Sequence, residues 1–155
     1  MVDEIEKIGK GRSEGMTMTA LDEITGFHMR KAVLRAQGTF ASAAGRKLQT
    51  GQYSVMAIIN ENPGRTQTAI AEAAGLDRSS LVPVLNQFEK NGLIIREAVA
   101  TDRRAYAVRL TKKGQRELAD LETKVQEIEK KVVDGLGQEN HALLIDLLKR
   151  FYEVI

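Results

Sequence analysis

Apolar residues recur at helical spacing over most of the chain, and the clearest case is residues 67–88. This run predicts two short helices that cross at a tight turn, because Gly75 can take positive φ there without a Cβ clash. Thr66 is the expected cap of the first helix, and Asp77 or Ser79 that of the second. The apolar set consists of Ile70, Ala71, Ala74, Leu76, Leu81, Val84, Leu85 and Phe88. The alternative is an ordinary pair of packed surface helices.

The second helix of this pair carries a short, polar face opposite its apolar stripe. Its members are Ser79, Ser80, Val82, Pro83, Asn86, Gln87 and Lys90. Amide side chains such as Asn86 and Gln87 pair bidentately with the edge of adenine, so this face suits contact with base edges. Pro83 lacks a backbone donor and is unstrained only in a first turn. It therefore predicts either a late start of the helix, near Ser79, or a slight local bend.

A β-hairpin is expected next, over residues 93–110. Its strands are predicted at residues 93–95 and 105–110, where apolar, β-favouring residues and strict alternation occur. The tip between them contains Arg103 and Arg104. Arginine is favoured in a narrow minor groove, where the negative potential of DNA is strongest. A hairpin in this place has the geometry of a DNA-binding wing, and a plain solvated hairpin is the alternative.

Residues 66–114 resemble the winged helix-turn-helix of the multiple antibiotic resistance regulator (MarR) family of transcription factors. The resemblance is carried by GLDRSSLVPVLNQFEKNGLI and by TDRRAYAVRLTKKG, whose Asp-x-Arg and Leu-Thr-x-x-Gly match that family's wing signature. It implies that Arg104 enters the minor groove and that Asp102 orients it. The DNA-binding residues expected from the resemblance and the two patterns are Thr66, Gln67, Arg78, Ser79, Ser80, Pro83, Asn86, Gln87, Lys90, Asp102, Arg103 and Arg104.

Apolar stripes also recur on both sides of this module. Thr111 is expected to cap a helix that runs to about Asp134 and is broken by Gly135 and Gly137, and a last helix is expected from about Gln138. The stripes contain Leu21, Ile24, Phe27, Leu34 and Phe40, then Leu118, Leu121, Val125, Ile128 and Val132, and finally Leu143, Leu144, Leu147, Leu148 and Phe151. They suggest burial against a second copy, and packing within one chain is the alternative.

The resemblance implies a mostly α-helical fold whose terminal helices flank the winged module and interleave into a two-fold homodimer. Residues 1–20 are expected to form a mobile N-terminal arm, and residues 21–155 a single domain, which fits the 155-residue length. Within it, dimerisation helices are expected at 21–48 and 117–155, and the DNA-binding lobe at 50–116. Two-fold symmetry predicts an inverted-repeat operator.

Charge is distributed unevenly, although the net charge is only +2. Residues 65–116 contain ten basic and five acidic residues, and residues 117–155 contain five basic and nine acidic ones. A basic middle can neutralise phosphates and release counterions. Double-stranded DNA is the expected partner of this region. A nonspecific or architectural nucleic-acid-binding protein is the alternative function.

Other functional classes find little support. No nucleophile with a neighbouring base and no Gly-rich phosphate loop occurs, so we predict no enzyme and no catalytic residue. No cofactor or metal site is expected, because His28 and His141 are far apart and cysteine is absent. No segment approaches the roughly 20 apolar residues of a membrane span, and the acidic N-terminus is unlike a signal peptide. We therefore expect a cytoplasmic protein without a membrane partner.

A small organic effector is the remaining trigger for a regulator of this kind. In the MarR family the effector lies between the dimerisation helices and the DNA-binding lobe, and its binding usually releases a repressor from DNA. The candidate effector residues here are Phe27, His28, Arg30, Arg35, Phe40, Arg46 and Tyr53. Aromatic faces combined with cations suit an anionic aromatic acid or its coenzyme A thioester. An ordinary core or surface role is the alternative for each of them.

Overall fold

The fold is mostly α-helical with one small antiparallel sheet, as expected for the predicted fold class. The computed structural model describes residues 19–44, 50–99 and 102–154, and side chains within these ranges except those of residues 40–44, 50, 99 and 102–105. A 3-10 turn at Thr19–Leu21 is followed by α1 (Thr25–Ala44), α2 (Thr50–Glu61), β1 (Arg65–Thr66), α3 (Gln67–Ala73), α4 (Arg78–Lys90), β2 (Ile94–Val99), β3 (Asp102–Leu110), α5 (Lys112–Leu136) and α6 (Gln138–Val154).

The chain divides into two compact units, and the boundary lies within α1, after Ala36. In the first unit, the helix begins at Thr25 rather than near Leu21 as predicted. The reason is local: the N–H of Ile24 donates to the carbonyl of Leu21 at 3.0 Å, which closes a separate turn. The predicted N-terminal arm lies almost entirely outside the described residues.

In the second unit, α3 and α4 form the two crossing helices that the sequence predicts. Thr66 caps α3 by accepting a hydrogen bond from the N–H of Ala69 at 3.3 Å. The helix ends before Gly75, which has a φ of +63°. The N–H of Leu76 then reaches back to the carbonyl of Ala71 at 2.9 Å. This contact satisfies a carbonyl that the end of the helix leaves free.

Asp77 caps α4, which begins at Arg78, one residue before the start predicted near Ser79. Pro83 is therefore the sixth residue of the helix and lies beyond its first turn. Its ring takes the place of the N–H that would bond the carbonyl of Ser79 four residues earlier. Pro83 is exposed, so the ring displaces no core side chain.

The core of this unit lies between α2, α3, α4, the sheet and the first half of α5. Leu81, Leu85 and Phe88 have no exposed surface, and Val84 packs beside them, so the predicted stripe of α4 is confirmed. The buried apolar residues are Val55, Met56, Ile59, Ile70, Ala71, Leu81, Leu85, Phe88, Leu93, Ile94, Val108, Leu118 and Leu121. The helix pair and the hairpin therefore share one core.

The hairpin is the pair β2–β3, and β1 adds a third strand, in the order β1-β3-β2. Both strands of the hairpin are longer at the tip than predicted, so Arg103 and Arg104 lie in β3 rather than between the strands. The register is regular up to Ala98 opposite Tyr106 and then shifts, with Val99 opposite Asp102. The sequence did not predict β1, whose two residues carry no strand pattern of their own.

The end of α4 and the start of α5 form a compact junction. The hydroxyl of Thr111 accepts from the N–H of Gly114 at 3.0 Å, which caps α5 as predicted. The same hydroxyl donates to the carbonyl of Gly92 at 2.7 Å. Gly114 is buried, and a Cβ on it would overlap the carbonyl oxygen of Leu93. The close approach of α5 to this loop therefore requires glycine.

The two last helices, α5 and α6, are joined at Gly137, which has a φ of +80° and ends α5. The prediction that Gly135 also breaks α5 is wrong, because the helix continues to Leu136. One glycine weakens a helix by only about 0.5–1 kcal/mol relative to alanine. Across the turn, Nε2 of His141 lies 2.5 Å from Oε1 of Glu129.

Large apolar side chains remain exposed along the end of α5 and along α6. They are Val132, Leu136, Leu143, Leu144, Ile145, Leu147, Tyr152 and Val154. No described residue of α6 is buried. None of the described helices is long and apolar enough to cross a membrane.

Candidate nucleic-acid interface

One exposed face of α4 brings together most of the residues that the sequence predicts for the major groove. Helical spacing puts them on the side opposite the buried Leu81, Leu85 and Phe88. The exposed members of this polar face are Ser79, Ser80, Pro83, Asn86, Gln87 and Lys90. Arg78 is also exposed. Successive residues of a helix are rotated by about 100°, and this rotation places Arg78 outside the polar face. Thr66 and Gln67 lie at the start of α3, where both are half-buried.

The two serines of the polar face are tied to the cap of α4. The carboxylate of Asp77 accepts from the N–H of Ser80 at 2.9 Å and from its hydroxyl at 2.6 Å. It also accepts from the hydroxyl of Ser79. The bonds from Ser79 and then Ser80 hold the pKa of Asp77 well below its usual range, because they favour the charged form.

This arrangement determines what the serines can offer to DNA. A hydroxyl carries a single hydrogen, so Ser79 and Ser80 present only lone pairs while their hydrogens are donated to Asp77. They can accept hydrogen bonds from base amino groups in this state. A donation to phosphate requires that the hydroxyl first leave Asp77.

The amide of Asn86 is held by an arginine that the sequence patterns did not predict. Nη2 of Arg96, on β2, donates to Oδ1 of Asn86 at 2.8 Å. Its Nη1 donates to Oε2 of Glu89 at 3.0 Å. The side chain of Arg96 is only 16% exposed, and its Nε is buried without a hydrogen-bond partner among the described atoms. The one hint of this contact in the sequence was that an arginine, Arg96, directly follows two apolar strand residues in a hairpin that comes after α4.

Gln87 makes a different kind of contact. Its Nε2 donates to Oδ1 of Asn91 at 3.2 Å, so two exposed amides pair with each other. Lys113 donates from Nζ to the carbonyl of Asn91 at 2.8 Å. The C-terminal end of the polar face is thereby linked to the first turn of α5.

The wing carries the predicted arginines near its end. The backbones of Asp102, Arg103 and Arg104 lie in β3, after the register shift. Their side chains lie outside the described part of the chain, so the ion pair predicted between Asp102 and Arg104 stays a prediction. Further along β3, Nε of Arg109 lies 3.3 Å from Oε2 of Glu97. Arg109, one of the basic residues counted in the lobe, is therefore already paired with a carboxylate.

Three of the candidate effector residues lie at the start of α1, in the first unit. The rings of Phe27 and His28 meet edge to face with centroids 5.5 Å apart, and Nζ of Lys31 lies 5.2 Å from the centroid of Phe27. Nε2 of His28 also lies 2.7 Å from the carbonyl oxygen of Asp22. Arg30 is exposed nearby in sequence. Aromatic and cationic groups therefore do occur together here.

The remaining effector candidates are dispersed. Arg35 lies five residues further along α1, whereas Arg46 and the side chain of Phe40 lie outside the described part of the chain. Tyr53 belongs to α2, in the second unit, and packs against the core. Burial, and then the nearby Glu122 and Glu61, raise the pKa of Tyr53. The acidic surroundings of Tyr53 make it the candidate least suited to an anion.

Comparisons with known proteins identify the family of this chain. A model of the MarR family matches residues 48–106. A putative transcriptional regulatory protein for the hcr operon of Thauera aromatica is 38% identical over 129 residues, which are 82% of this chain and 78% of that protein. The matched region therefore extends well beyond the winged module.

Solved structures give the same result. The transcriptional repressor CouR bound to a 23-mer DNA duplex is 32% identical, with a TM-score of 0.82 over 88% of this chain and 98% of that chain. CouR bound to p-coumaroyl-CoA is 29% identical, with a TM-score of 0.83 over 90% of this chain and 99% of that chain. These relatives are regulators and not enzymes, in agreement with the prediction from sequence. The chain belongs to the MarR family of DNA-binding transcriptional regulators.

Proposed function

We propose that this regulator is a repressor that binds an inverted-repeat operator as a homodimer and leaves it when a small organic effector binds. The observation that carries the DNA part is the exposed polar face of α4, opposite a stripe with no exposed surface. A rigid helix with short polar side chains on one side fits the major groove. The known DNA complex of the similar CouR supports this assignment.

The DNA contacts divide into two classes. Ser79, Ser80, Asn86 and Gln87 lie where base edges would be read, and Pro83 gives an apolar surface among them. The groups expected to bind phosphate or the minor groove are Thr66, Gln67, Arg78, Lys90, Asp102, Arg103 and Arg104. Phosphate contacts fix the position of a protein on the duplex, and base contacts determine its sequence preference.

The homodimer is supported by the apolar side chains of α6. Leu143 and Leu147 are 51% and 50% exposed, and they lie one helical turn apart on the same face. Contiguous exposed apolar surface of this kind marks an interaction site in soluble proteins. The dimerisation helices proposed at 21–48 and 117–155 would bury it against a second copy. The net charge of 117–155 is negative, so this part would face away from DNA.

An aromatic acid or its coenzyme A thioester is the proposed effector. The ligand bound in one CouR structure, p-coumaroyl-CoA, belongs to this class. Phe27, His28, Arg30 and Arg35 supply aromatic and cationic groups at the start of α1. Phe40, Arg46 and Tyr53 are the other predicted members, and Tyr53, near Glu122 and Glu61, is the one that suits an anion least. Effector and DNA would favour two different spacings of the recognition helices, so each weakens binding of the other by the same factor. A DNA-dependent function also supports a cytoplasmic location.

The experiment that tests this function measures affinity for DNA at one fixed salt concentration. Operator candidates are enriched from a randomised duplex library, and fluorescence anisotropy compares the enriched duplex with a scrambled duplex of the same composition. We expect the enriched site to bind roughly 10³-fold more tightly or better. Equal affinity for the two duplexes would overturn the proposal and favour a nonspecific or architectural role. A panel of aromatic acids and their thioesters is then tested for release of the enriched duplex.

A further inference from the structure

Arg96, on β2 of the wing, contacts two side chains of α4 that lie about one helical turn apart. It donates to Asn86 through Nη2 at 2.8 Å and to Glu89 through Nη1 at 3.0 Å. Most of its side chain is buried, so the guanidinium has little freedom to move away. Asn86 itself remains exposed, although its amide contacts Arg96.

The chemistry of the guanidinium fixes the orientation of this amide. Arginine has only donors, and it keeps its charge at any ordinary pH. The Asn86 atom that faces Arg96 must therefore be the oxygen. Turning the amide over would place its NH₂ group against the guanidinium and lose a charge-assisted hydrogen bond. The oxygen of Asn86 is thereby turned towards Arg96, which takes one of its two lone pairs, and the NH₂ group is the part of the amide turned away from Arg96.

The contact between Gln87 and Asn91 does not impose such a choice. Each amide contains both a donor and an acceptor, so the two can turn over together and keep one hydrogen bond between them. Gln87 can therefore offer either its oxygen or its NH₂ group. Of the two neighbouring amides on the polar face, only Asn86 has a fixed polarity.

We propose that Arg96 is a positioning residue that sets sequence preference by holding the oxygen of Asn86 towards the wing and leaving its NH₂ group to meet the base; this inference rests on the proposed function. A free asparagine pairs bidentately with adenine, whose edge offers one acceptor and one donor. With its oxygen held against Arg96, Asn86 does not present both groups to one base. Its NH₂ group instead favours edges made of acceptors, which are O6 and N7 of guanine or O4 of thymine. This differs from the adenine contact that the sequence predicts for Asn86.

The test uses selection from randomised half-sites by the full-length protein, followed by anisotropy on single-base variants of the enriched operator. The base pair read by Asn86 is identified as the one whose preference is lost in Asn86→Ala. At that position we expect the wild-type protein to prefer guanine or thymine. In Arg96→Met, adenine should gain roughly tenfold relative to the wild-type preference, because the amide can now turn. Arg96→Lys, which keeps a donor, should retain most of the original preference.

A second variant keeps the proposal falsifiable if Arg96→Met folds poorly. Asn86→Asp retains an oxygen for Arg96 but replaces the outward NH₂ group with another oxygen. We expect its preference to move to bases with an outward amino group, cytosine or adenine. Glu89→Gln is the matched control, since it weakens the ion pair of Arg96 and leaves the contact with Asn86, and its base preference should match the wild type.

The outcomes separate this inference from the function beneath it. A wild-type protein that enriches no sequence would overturn both. An enriched operator with adenine at the Asn86 position, unchanged in Arg96→Met and in Asn86→Asp, would overturn the role of Arg96 alone. So would an Asn86→Ala protein that keeps every wild-type preference.

Discussion

Apolar residues are buried in the winged lobe but stay exposed along the last helix, α6. In the lobe, Leu81, Leu85 and Phe88 have no exposed surface, because α2, α3, the sheet and α5 surround them. In α6, Leu147 is 50% exposed, and the described part of the chain buries no residue of this helix. The lobe therefore completes its core within one chain. The α6 face needs a further surface, and a second copy is the proposed one.

The same two regions also differ in charge. Residues 65–116 carry an excess of basic residues and residues 117–155 an excess of acidic ones. If the acidic, apolar C-terminal end forms the dimer and the basic lobe binds phosphates, dimerisation and DNA binding use separate surfaces. Substitutions in the two regions should therefore have separable effects.

The largest effect is expected at the junction that closes the lobe. In Gly114→Ala the new Cβ would meet the carbonyl oxygen of Leu93, and backbone cannot move aside cheaply. We expect a loss of about 4 kcal/mol or more in the free energy of unfolding, measured by urea denaturation. Gly135→Ala in the same helix is the matched control. Nothing lies within 4 Å of its Cβ position, so it should stabilise α5 by about 0.5–1 kcal/mol. Equal stability of the two variants would contradict the close approach.

A matched pair of truncations compares the two regions directly. Leu85→Ala leaves a cavity in the lobe and should cost about 3 kcal/mol. Hydrogen exchange should detect the loss as faster exchange of the α3 and α4 amides. Leu147→Ala removes the same atoms from a half-exposed position, and exchange in α3 and α4 should stay close to the wild type. Similar acceleration in both variants would mean that α6 belongs to the core of the lobe.

The proposed dimer surface is broken by charge rather than by truncation. Leu147→Glu places a carboxylate on the apolar face of α6, and we expect monomers in sedimentation and a fall of roughly 100-fold in operator affinity, since paired half-sites bind together. Lys149→Glu puts the same residue on the opposite face of the helix. This control should remain a dimer. A dimeric Leu147→Glu protein would remove α6 from the interface.

The wing should contribute a smaller part of the affinity for DNA, and this part should not depend on the DNA sequence. Arg104→Ala is expected to weaken binding by about tenfold at every site and to reduce the salt slope by about one. Gln87→Ala, on the polar face, should instead change which sites are preferred. Anisotropy titrations at several salt concentrations separate these results. An unchanged salt slope in Arg104→Ala would leave that residue out of the interface.

The smallest expected effect is the pH dependence of folding stability that Asp77 contributes. Because the pKa of Asp77 is lowered in the folded state, its contribution is fully present above the ordinary aspartate pKa of about 3.9 and is lost as the pH falls below it. Asp77→Asn keeps a good capping residue that does not titrate. The wild-type protein should therefore be the more stable of the two near neutral pH, and the difference should shrink as the pH falls from about 5 to about 3, as measured by thermal unfolding. A constant difference would contradict the role of the charge.

Local chemistry was sufficient to predict much of the lobe. Thr66, Asp77 and Thr111 cap their helices as expected, because a cap depends on residues only two or three positions away. The stripe of α4 was equally visible, since its period is intrinsic to the helix. What escaped prediction within the lobe depends mostly on partners distant in sequence.

Contacts between distant segments explain the features of the lobe that the sequence did not reveal. The strand β1 exists because Arg65 and Thr66 pair with Val108 and Ala107 of β3, far along the chain. Arg96 meets Asn86 because the hairpin packs on α4, and no local pattern reveals which polar group it meets. Gly114 could be matched to a family signature, but its reason, the carbonyl of Leu93, is visible only in the fold.

The proposal that a homodimer binds two half-sites is tested most directly by the stoichiometry of the complex with an enriched operator and by the spacing of its half-sites. Sedimentation of the protein with a single duplex should give two chains per operator, with half-sites centred about one DNA turn apart, roughly 34 Å. Insertion of about five base pairs between the half-sites turns one recognition helix to the wrong side of the DNA and should abolish tight binding. One chain per duplex, with an affinity that a single half-site already reproduces and the insertion leaves unchanged, would contradict this proposal.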